Sequence, residues 1–212
     1  MVAQRPFQSA DRVPTEHRAS VAAFACFTCL HAMSQPDLNT ASANFSTCDL
    51  CDAHKADASG EFRVLAPLYT DYGARTQFAG PISTVRCLED NSRVREAVNS
   101  PGLGRVLVVD GGGVVRRSLV GGLLGAAAAK NGWAGVVVHG AVRDKAELAA
   151  CDVGIRALAL TPMPTDRQDQ GQRDVPIQIG DTWIRPGEWL YADEDGMVVM
   201  PVPLIEKNST QP

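Results

Sequence analysis

The chain has 212 residues, 45% of them hydrophobic and 21% charged, with a formal net charge of −4. That is enough apolar material for one core with an appendage, in the proportions of an ordinary globular chain. The acidic balance argues against nucleic-acid binding through a basic face, because neutralising phosphates needs a cluster of Lys and Arg that no segment supplies.

Residues 1–46 differ in composition from the rest of the chain. Polar, unpatterned stretches flank one apolar run, residues 19–33, so the expectation is a mainly disordered N-terminal arm. The run is too short to span a bilayer. It also lies behind Asp11 and Glu16, which do not suit the basic start of a secretory leader, and Met33 is an alternative start. The default compartment is then a reducing cytoplasm. Cys26-x-x-Cys29 and Cys48-x-x-Cys51 have the spacing of a four-cysteine zinc ribbon. Against zinc stands the residue context: Leu-His-Ala-Met follows Cys29, and the second pair falls where Thr47 can cap a helix carrying Asp49 in its first turn. His54 reads as a surface or capping histidine rather than a ligand.

After turn-rich sequence to Gly80, residues 81–87 alternate as a half-buried strand, and residues 91–99 have helical spacing with Val94 and Val98 on one face. Cys87, like Cys151 further on, lies in an apolar pattern and reads as a small core residue. Val106–Val109 is an interior strand, short and β-branched. The glycines at 111, 112 and 113 then predict close approach of a ligand or another strand. Gly121 and Gly122 precede an alanine-rich helix stopped by Gly132. The pair therefore sits at a helix N-terminus, whose free N–H groups receive a carboxylate or phosphate. A second interior strand, 135–139, delivers Arg143 and Asp144 just past its C-terminal end, where α/β sheets bind ligands. An arginine fork suits a carboxylate and an aspartate suits a divalent metal, although Arg-Asp is also an ordinary first-turn pair.

Residues 145–150 predict a short helix and 155–160 another interior strand. The polar loop 161–174 reads equally as a lid or subunit contact and as a disordered surface loop. Residues 175–201 form a run of short strands with turns at Gly180-Asp181, Pro186-Gly187 and Asp195-Gly196. The acidic turn Asp193 to Asp195 could reach a neighbouring subunit's site, with a solvated hairpin tip as the default. Residues 207–212 are expected to fray.

The ordered motifs VLVVDGGGVVRRSLVGGLL, NGWAGVVVHGAVRD and GEWLYADEDGMVV resemble the family that contains the RraA regulators of ribonuclease E and the class II 4-hydroxy-4-methyl-2-oxoglutarate aldolases. The resemblance implies an α/β subunit, a layered β/β/α sandwich over residues 47–206, in a homotrimer with sites between neighbours. It also implies that Gly121, Gly122, Leu123, Leu124 and Arg143 bind the pyruvoyl group, with Arg143 catalytic, and that Asp144 holds a divalent cation, Mg²⁺ or Mn²⁺. The chain departs from the aldolase pattern at Gly122, where an acidic residue commonly helps hold the metal through water. It departs from the regulator pattern in having Asp144.

The implied activity is cleavage of a 4-hydroxy-2-oxo acid to pyruvate, with oxaloacetate decarboxylation through the same enolate and no contact with nucleic acid or membrane. The metal supplies the electron sink and Arg143 meets the enolate charge, so no Schiff-base lysine is needed. The base stays open between His139 and a water. The alternative is a non-catalytic regulator that binds and inhibits ribonuclease E.

Overall fold

The computed structural model describes residues 45–204. The expectations for the N-terminal arm up to residue 44, for Cys26 and Cys29, and for the tail lie outside the described residues. In chain order the elements are α1 (Thr47–Ala53), β1 (Arg63–Val64), β2 (Thr70–Asp71), β3 (Phe78–Arg86), α2 (Ser92–Val98), β4 (Val106–Asp110), β5 (Ser118–Val120) and α3 (Gly122–Lys130). They continue with β6 (Gly135–Val142), α4 (Lys145–Ala149), β7 (Gly154–Leu160), β8 (Gln172–Arg173), β9 (Ile177–Ile179), β10 (Thr182–Ile184), β11 (Trp189–Asp193) and β12 (Gly196–Met200). No described helix is long and apolar enough to cross a membrane.

One long sheet runs β1-β12-β11-β3-β4-β6-β7-β2, with β5 added to β6 and β8 to β3, while β9 and β10 form a separate hairpin. Strand β3 is the joint. Its first half, Phe78–Pro81, pairs antiparallel with β11, and its second half, Ile82–Arg86, pairs parallel with β4. The chain thereby makes two layers from one sheet, an antiparallel part and a parallel part, β4-β6-β7.

Side chains alternate between faces along each strand, so the parallel strands feed two cores. Leu107, Val109, Val136, Val138 and Ile155 pack with α2, α3 and α4. Val106, Val108 and Val137 face Leu190, Ala192 and Val199 of the antiparallel layer. Trp189, Tyr191 and Val198 on the outside of that layer pack against Leu50 of α1. The result is the layered β/β/α arrangement, with α1 as an outer cover. Phe78 fills the space between layers where Gly135 and Gly154 have no Cβ to oppose its ring.

Several local expectations change. Residues 81–87 are more than half-buried: Ser83 and Thr84 are buried too, because β3 is covered on both faces. Their hydroxyls donate to Asp174 (2.6 Å) and to the Val175 carbonyl (2.6 Å). Ser46, not Thr47, caps α1, its hydroxyl accepting from the Asp49 N–H. Thr47 instead donates its N–H (2.6 Å) and hydroxyl (2.5 Å) to Asp193. Asp193 is therefore no solvated hairpin tip: it is buried. Burial raises the pKa of that carboxyl, but hydrogen bonds from Thr47, Asp195 and Gly196 outweigh it and hold the group below its ordinary range. His54 ends α1, with Nδ1 2.9 Å from the Leu50 carbonyl and its ring stacked on Phe62. Cys87 and Cys151 are buried as expected, while Cys48 is exposed and Cys51 half-buried on α1.

A buried charge sits within β7. Arg156 faces the inter-sheet space, where its Nε contacts Asp71 at 2.7 Å, Nη1 donates to the Gly196 carbonyl at 2.8 Å, and Nη2 donates to the Asp193 carbonyl. One guanidinium thus fastens β7 and β2 to the β11–β12 turn. Arg156→Met, which keeps the stem and removes the fork, should cost about 3–5 kcal/mol in urea unfolding, because the Asp71 carboxylate and two carbonyls lose their partner. A loss below about 1 kcal/mol would mean that the layers hold without it.

Candidate functional site

The cleft lies where β5 and β6 end and α3 and α4 begin. Val120 at the end of β5 accepts from the Arg143 N–H at 2.9 Å, which brings the Gly121-Gly122 turn beside the Arg143-Asp144 turn. Asp144 takes a left-handed backbone (φ 60°, ψ 50°), uncommon outside glycine but tolerated by aspartate. That conformation ends β6 abruptly and turns the carboxylate back over the start of α3. Its Oδ2 accepts from the Gly122 N–H at 3.1 Å and lies 3.4 Å from Arg143 Nε.

The glycine pair is required by this closeness. A Cβ on Gly121 would stand 2.6 Å from Asp144 Oδ2 and 3.1 Å from Arg143 Nε. Gly121 itself is in extended backbone (φ −134°, ψ −176°), which any residue adopts, so the constraint there is space. Gly122 is crowded in the same way, by Glu147: a Cβ at 122 would collide with the Glu147 carboxylate. The acidic group expected by resemblance at position 122 is thus absent from α3, and a carboxylate arrives at the same place from α4.

The structure brings Gly121, Leu123, Leu124, Arg143 and Asp144 together on one cleft of about 690 Å³, and Gly122 reaches it through its N–H on Asp144. Their amides differ in availability. The Leu124 N–H closes onto the Gly121 carbonyl at 3.0 Å, while the Leu123 N–H meets no acceptor among the described residues. Leu124 buries its side chain in the helix-side core, and Leu123 is 85% exposed at the rim.

The loop 161–171 forms another wall and is not a disordered surface loop. Its carbonyl at Met163 accepts from the Ser118 N–H (2.8 Å), Pro164 accepts from Arg117 (3.1 Å), and the buried Asp90 carboxylate accepts from the Gln168 N–H (2.6 Å). A loop so anchored is a fixed part of the cleft.

Other candidates fall elsewhere. Gly111 and Gly113 donate their N–H groups to the His139 carbonyl, both at 3.1 Å, so the group that approaches this glycine run is a neighbouring strand. The His139 ring does not line the cleft. Its Nδ1 is 2.9 Å from the Tyr69 hydroxyl, and burial, partly offset by Asp110, lowers its pKa. Among the described residues no three His, Cys, Asp or Glu side chains converge as a metal cage. Sequence reasoning missed Glu147 and the loop residues Thr165 and Arg167. For Glu147 a signal existed: it lies three residues after Asp144, the spacing that puts side chains on one helical face.

A model of the RraA-like family, described as Aldolase/RraA, matches residues 47–199. A protein of Albidiferax ferrireducens named "Putative 4-hydroxy-4-methyl-2-oxoglutarate aldolase" is 60% identical over 164 residues, covering 74% of this chain and 95% of that protein. One of the same name from Burkholderia multivorans is 56% identical over 73% of this chain and 95% of its own length. Among solved structures, the RNA-processing inhibitor RraA of Thermus thermophilus is 42% identical with a TM-score of 0.73, covering 78% of this chain and 98% of that chain. A Geobacillus kaustophilus structure titled as an S-adenosylmethionine: 2-dimethylmenaquinone methyltransferase is 40% identical with a TM-score of 0.71, covering 77% and 99%. The two solved structures, at 42% and 40% identity, carry names that differ in function from each other and from those of the relatives, so the chemistry must be argued from the cleft.

Position 122 gives a stability test. Gly122→Asp alone should destabilise the fold by about 1–3 kcal/mol, because its Cβ must displace the Glu147 carboxylate. Adding Glu147→Ala, which removes the carboxylate but keeps the Cβ 2.7 Å away, should return part of that loss in a double-mutant cycle by chemical denaturation, and strictly additive losses would show that the two positions do not share the space.

Proposed function

Because the chain belongs to the RraA-like family, we propose that it is a divalent-metal-dependent lyase that cleaves 4-hydroxy-4-methyl-2-oxoglutarate, or a related 4-hydroxy-2-oxo acid, to pyruvate. Oxaloacetate decarboxylation is proposed as a side activity through the same enolate. The observation that carries this reading is the Arg143-Asp144 pair held in one cleft against the start of α3.

The residues fit a hard cation. Asp144 Oδ1 meets no hydrogen-bond partner among the described residues, and Oδ2 receives one N–H and the Arg143 side chain. Glu147 adds a second carboxylate to the same cleft. One or two carboxylates with positions left for water and substrate is the set that suits Mg²⁺ or Mn²⁺. When bound, the cation would supply Lewis-acid polarisation of the 2-oxo carboxylate.

The chain's own groups do the rest. The open Leu123 N–H at the positive end of α3 orients the substrate carboxylate. As a water takes the C4 hydroxyl proton and C4 becomes a carbonyl, the C3–C4 bond breaks and its electron pair passes from C3 to the C2 oxygen, where Arg143 supplies positive charge to the developing enolate. The same enolate forms when CO₂ leaves oxaloacetate. Asp144 keeps Arg143 in place at 3.4 Å, so the arginine needs little reorganisation as charge appears. The homotrimer belongs to this proposal, as the family resemblance implies it. A monomer in sedimentation would remove it.

Asp144→Asn should abolish divalent-dependent pyruvate release and leave thermal unfolding nearly unchanged, because asparagine also tolerates the left-handed backbone. Full activity of that variant in EDTA would sink the metal-dependent reading. Arg143→Lys should lower kcat/KM about a hundredfold, mostly in kcat, because an ammonium cannot present two parallel donors to a planar anion and the enolate charge is absent from the bound substrate and appears only as the bond breaks. Decarboxylation should fall in parallel, and its survival while aldol cleavage disappears would place Arg143 on the C4 side of the substrate. A purified wild type that releases no pyruvate with Mg²⁺ or Mn²⁺, yet binds ribonuclease E, would support the second reading, a non-catalytic regulator. That reading draws on Gly122 and on likeness to the Thermus thermophilus chain.

A further inference from the structure

One carboxylate of the cleft is left without a partner. Asp144 lies 3.4 Å from Arg143 and accepts from the Gly122 N–H at 3.1 Å, and Asp166 faces Arg117 at 3.5 Å. The Glu147 carboxylate lines the same cleft and meets neither a hydrogen-bond donor nor a cation within ion-pair distance among the described residues. Its place is set by α4, whose next residue, Leu148, is fully buried and donates its N–H to the Asp144 carbonyl at 3.0 Å. Glu147 is thereby carried against the first residue of α3, where a Cβ on Gly122 would stand 2.8 Å from the Glu147 Cδ.

That end of α3 is the one that attracts anions. The helix has no acidic residue in its own first turn, and Gly121 offers no side-chain cap. The Gly122 N–H goes to Asp144, and those of Leu124 and Gly125 both close onto the Gly121 carbonyl at 3.0 Å, which leaves the Leu123 N–H for a ligand. A carboxylate arriving there gains that donor and the positive end of the helix. It also meets the charge of Glu147. Asp144 opposes it less, because Arg143 and the Gly122 N–H already balance that group, whereas Glu147 stands uncompensated and repels a second anion beside it.

We infer that Glu147 makes binding of the 2-oxo acid conditional on the cation. In the metal-free cleft an uncompensated carboxylate guards the start of α3 and holds anions off the Leu123 N–H. With a divalent ion on Asp144, in the same cleft, positive charge offsets Glu147 and the carboxylate of the 2-oxo acid takes its seat. The order of binding follows, cation first and 2-oxo acid second, so the acid does not occupy a cleft that lacks the Lewis acid for its cleavage. The linkage is reciprocal: whatever factor the cation adds to the affinity for the acid, the acid adds to the affinity for the cation. A neutral residue at 147 uncouples the two in part, because it removes the guard while Asp144 and Arg143 stay in place. This inference rests on the reading of the cleft as a 2-oxo acid site.

The test titrates pyruvate into the full chain by ligand-observed NMR, in EDTA and again with Mg²⁺, for the wild type, Glu147→Gln and Glu147→Asp. Mg²⁺ should tighten pyruvate binding to the wild type. In EDTA, Glu147→Gln should bind pyruvate about fivefold more tightly than the wild type does, the upper end for an exposed charge pair, and added salt should shrink the difference. Glu147→Asp keeps the charge and should bind less tightly than Glu147→Gln in EDTA. Thermal unfolding should be the same for all three, since the side chain at 147 is exposed. Equal metal-free affinity in the wild type and Glu147→Gln overturns the inference, and Mg²⁺-dependent pyruvate binding by the wild type then leaves the 2-oxo acid reading standing. A Glu147→Gln variant that loses the effect of Mg²⁺ without gaining affinity in EDTA also overturns it, because Glu147 is then only a cation ligand. Wild type that binds no pyruvate in either condition overturns both.

Discussion

The parallel strands β4, β6 and β7 are buried on both faces, and most of the molecule is a consequence of that constraint. A strand with valines on each side needs two covers, because its backbone groups are satisfied within the sheet while both rows of side chains must leave water. Helices α2, α3 and α4 cover one face. The antiparallel layer covers the other, and β3 belongs to both layers, so a single strand carries the chain from one to the other. Burying both faces leaves only strand ends open to solvent, and the cleft forms at such an end.

Two turns make the cleft, and each is tight for the other's sake. Asp144 accepts a left-handed backbone, and position 121 tolerates no side chain, so that one carboxylate can reach the first N–H of α3. Backbone conformations of this kind persist where the surroundings over-determine them. Here the surroundings are the Val120–Arg143 hydrogen bond behind the turns and the Glu147 carboxylate beside them.

Polar groups inside the body obey a second constraint. Arg156, Asp193, Ser83 and Thr84 are all buried, and each is hydrogen-bonded to a backbone group or a charged side chain. Buried polar groups of this sort are tolerated only when satisfied, and they fix the relative position of the elements they join. Asn91 and Thr165 each leave an atom unsatisfied at the cleft, where a ligand can reach it.

The sequence by itself determined the parts whose signals are local. Runs of β-branched residues marked β4, β6 and β7, glycines marked the turn before α3, and the order of motifs placed Arg143 and Asp144 past a strand end and carried the family. These are legible because periodicity and backbone permissiveness are properties of neighbouring residues. Tertiary structure decided what depends on distant partners. Residues 81–87 read as a half-buried strand, yet Ser83 and Thr84, on opposite faces of β3, are both buried, because the 174–175 segment supplies hydrogen bonds across the chain. Asp193 read as a hairpin tip until Thr47, 146 positions away, supplied its donors. Glu147 beside Gly122, and Arg167 in the cleft of Arg143, likewise depend on how α4 and the 161–171 loop fold onto the strand ends. A side chain's pattern gives its face, but its charge and hydrogen-bond partners are chosen by whatever the fold brings against that face.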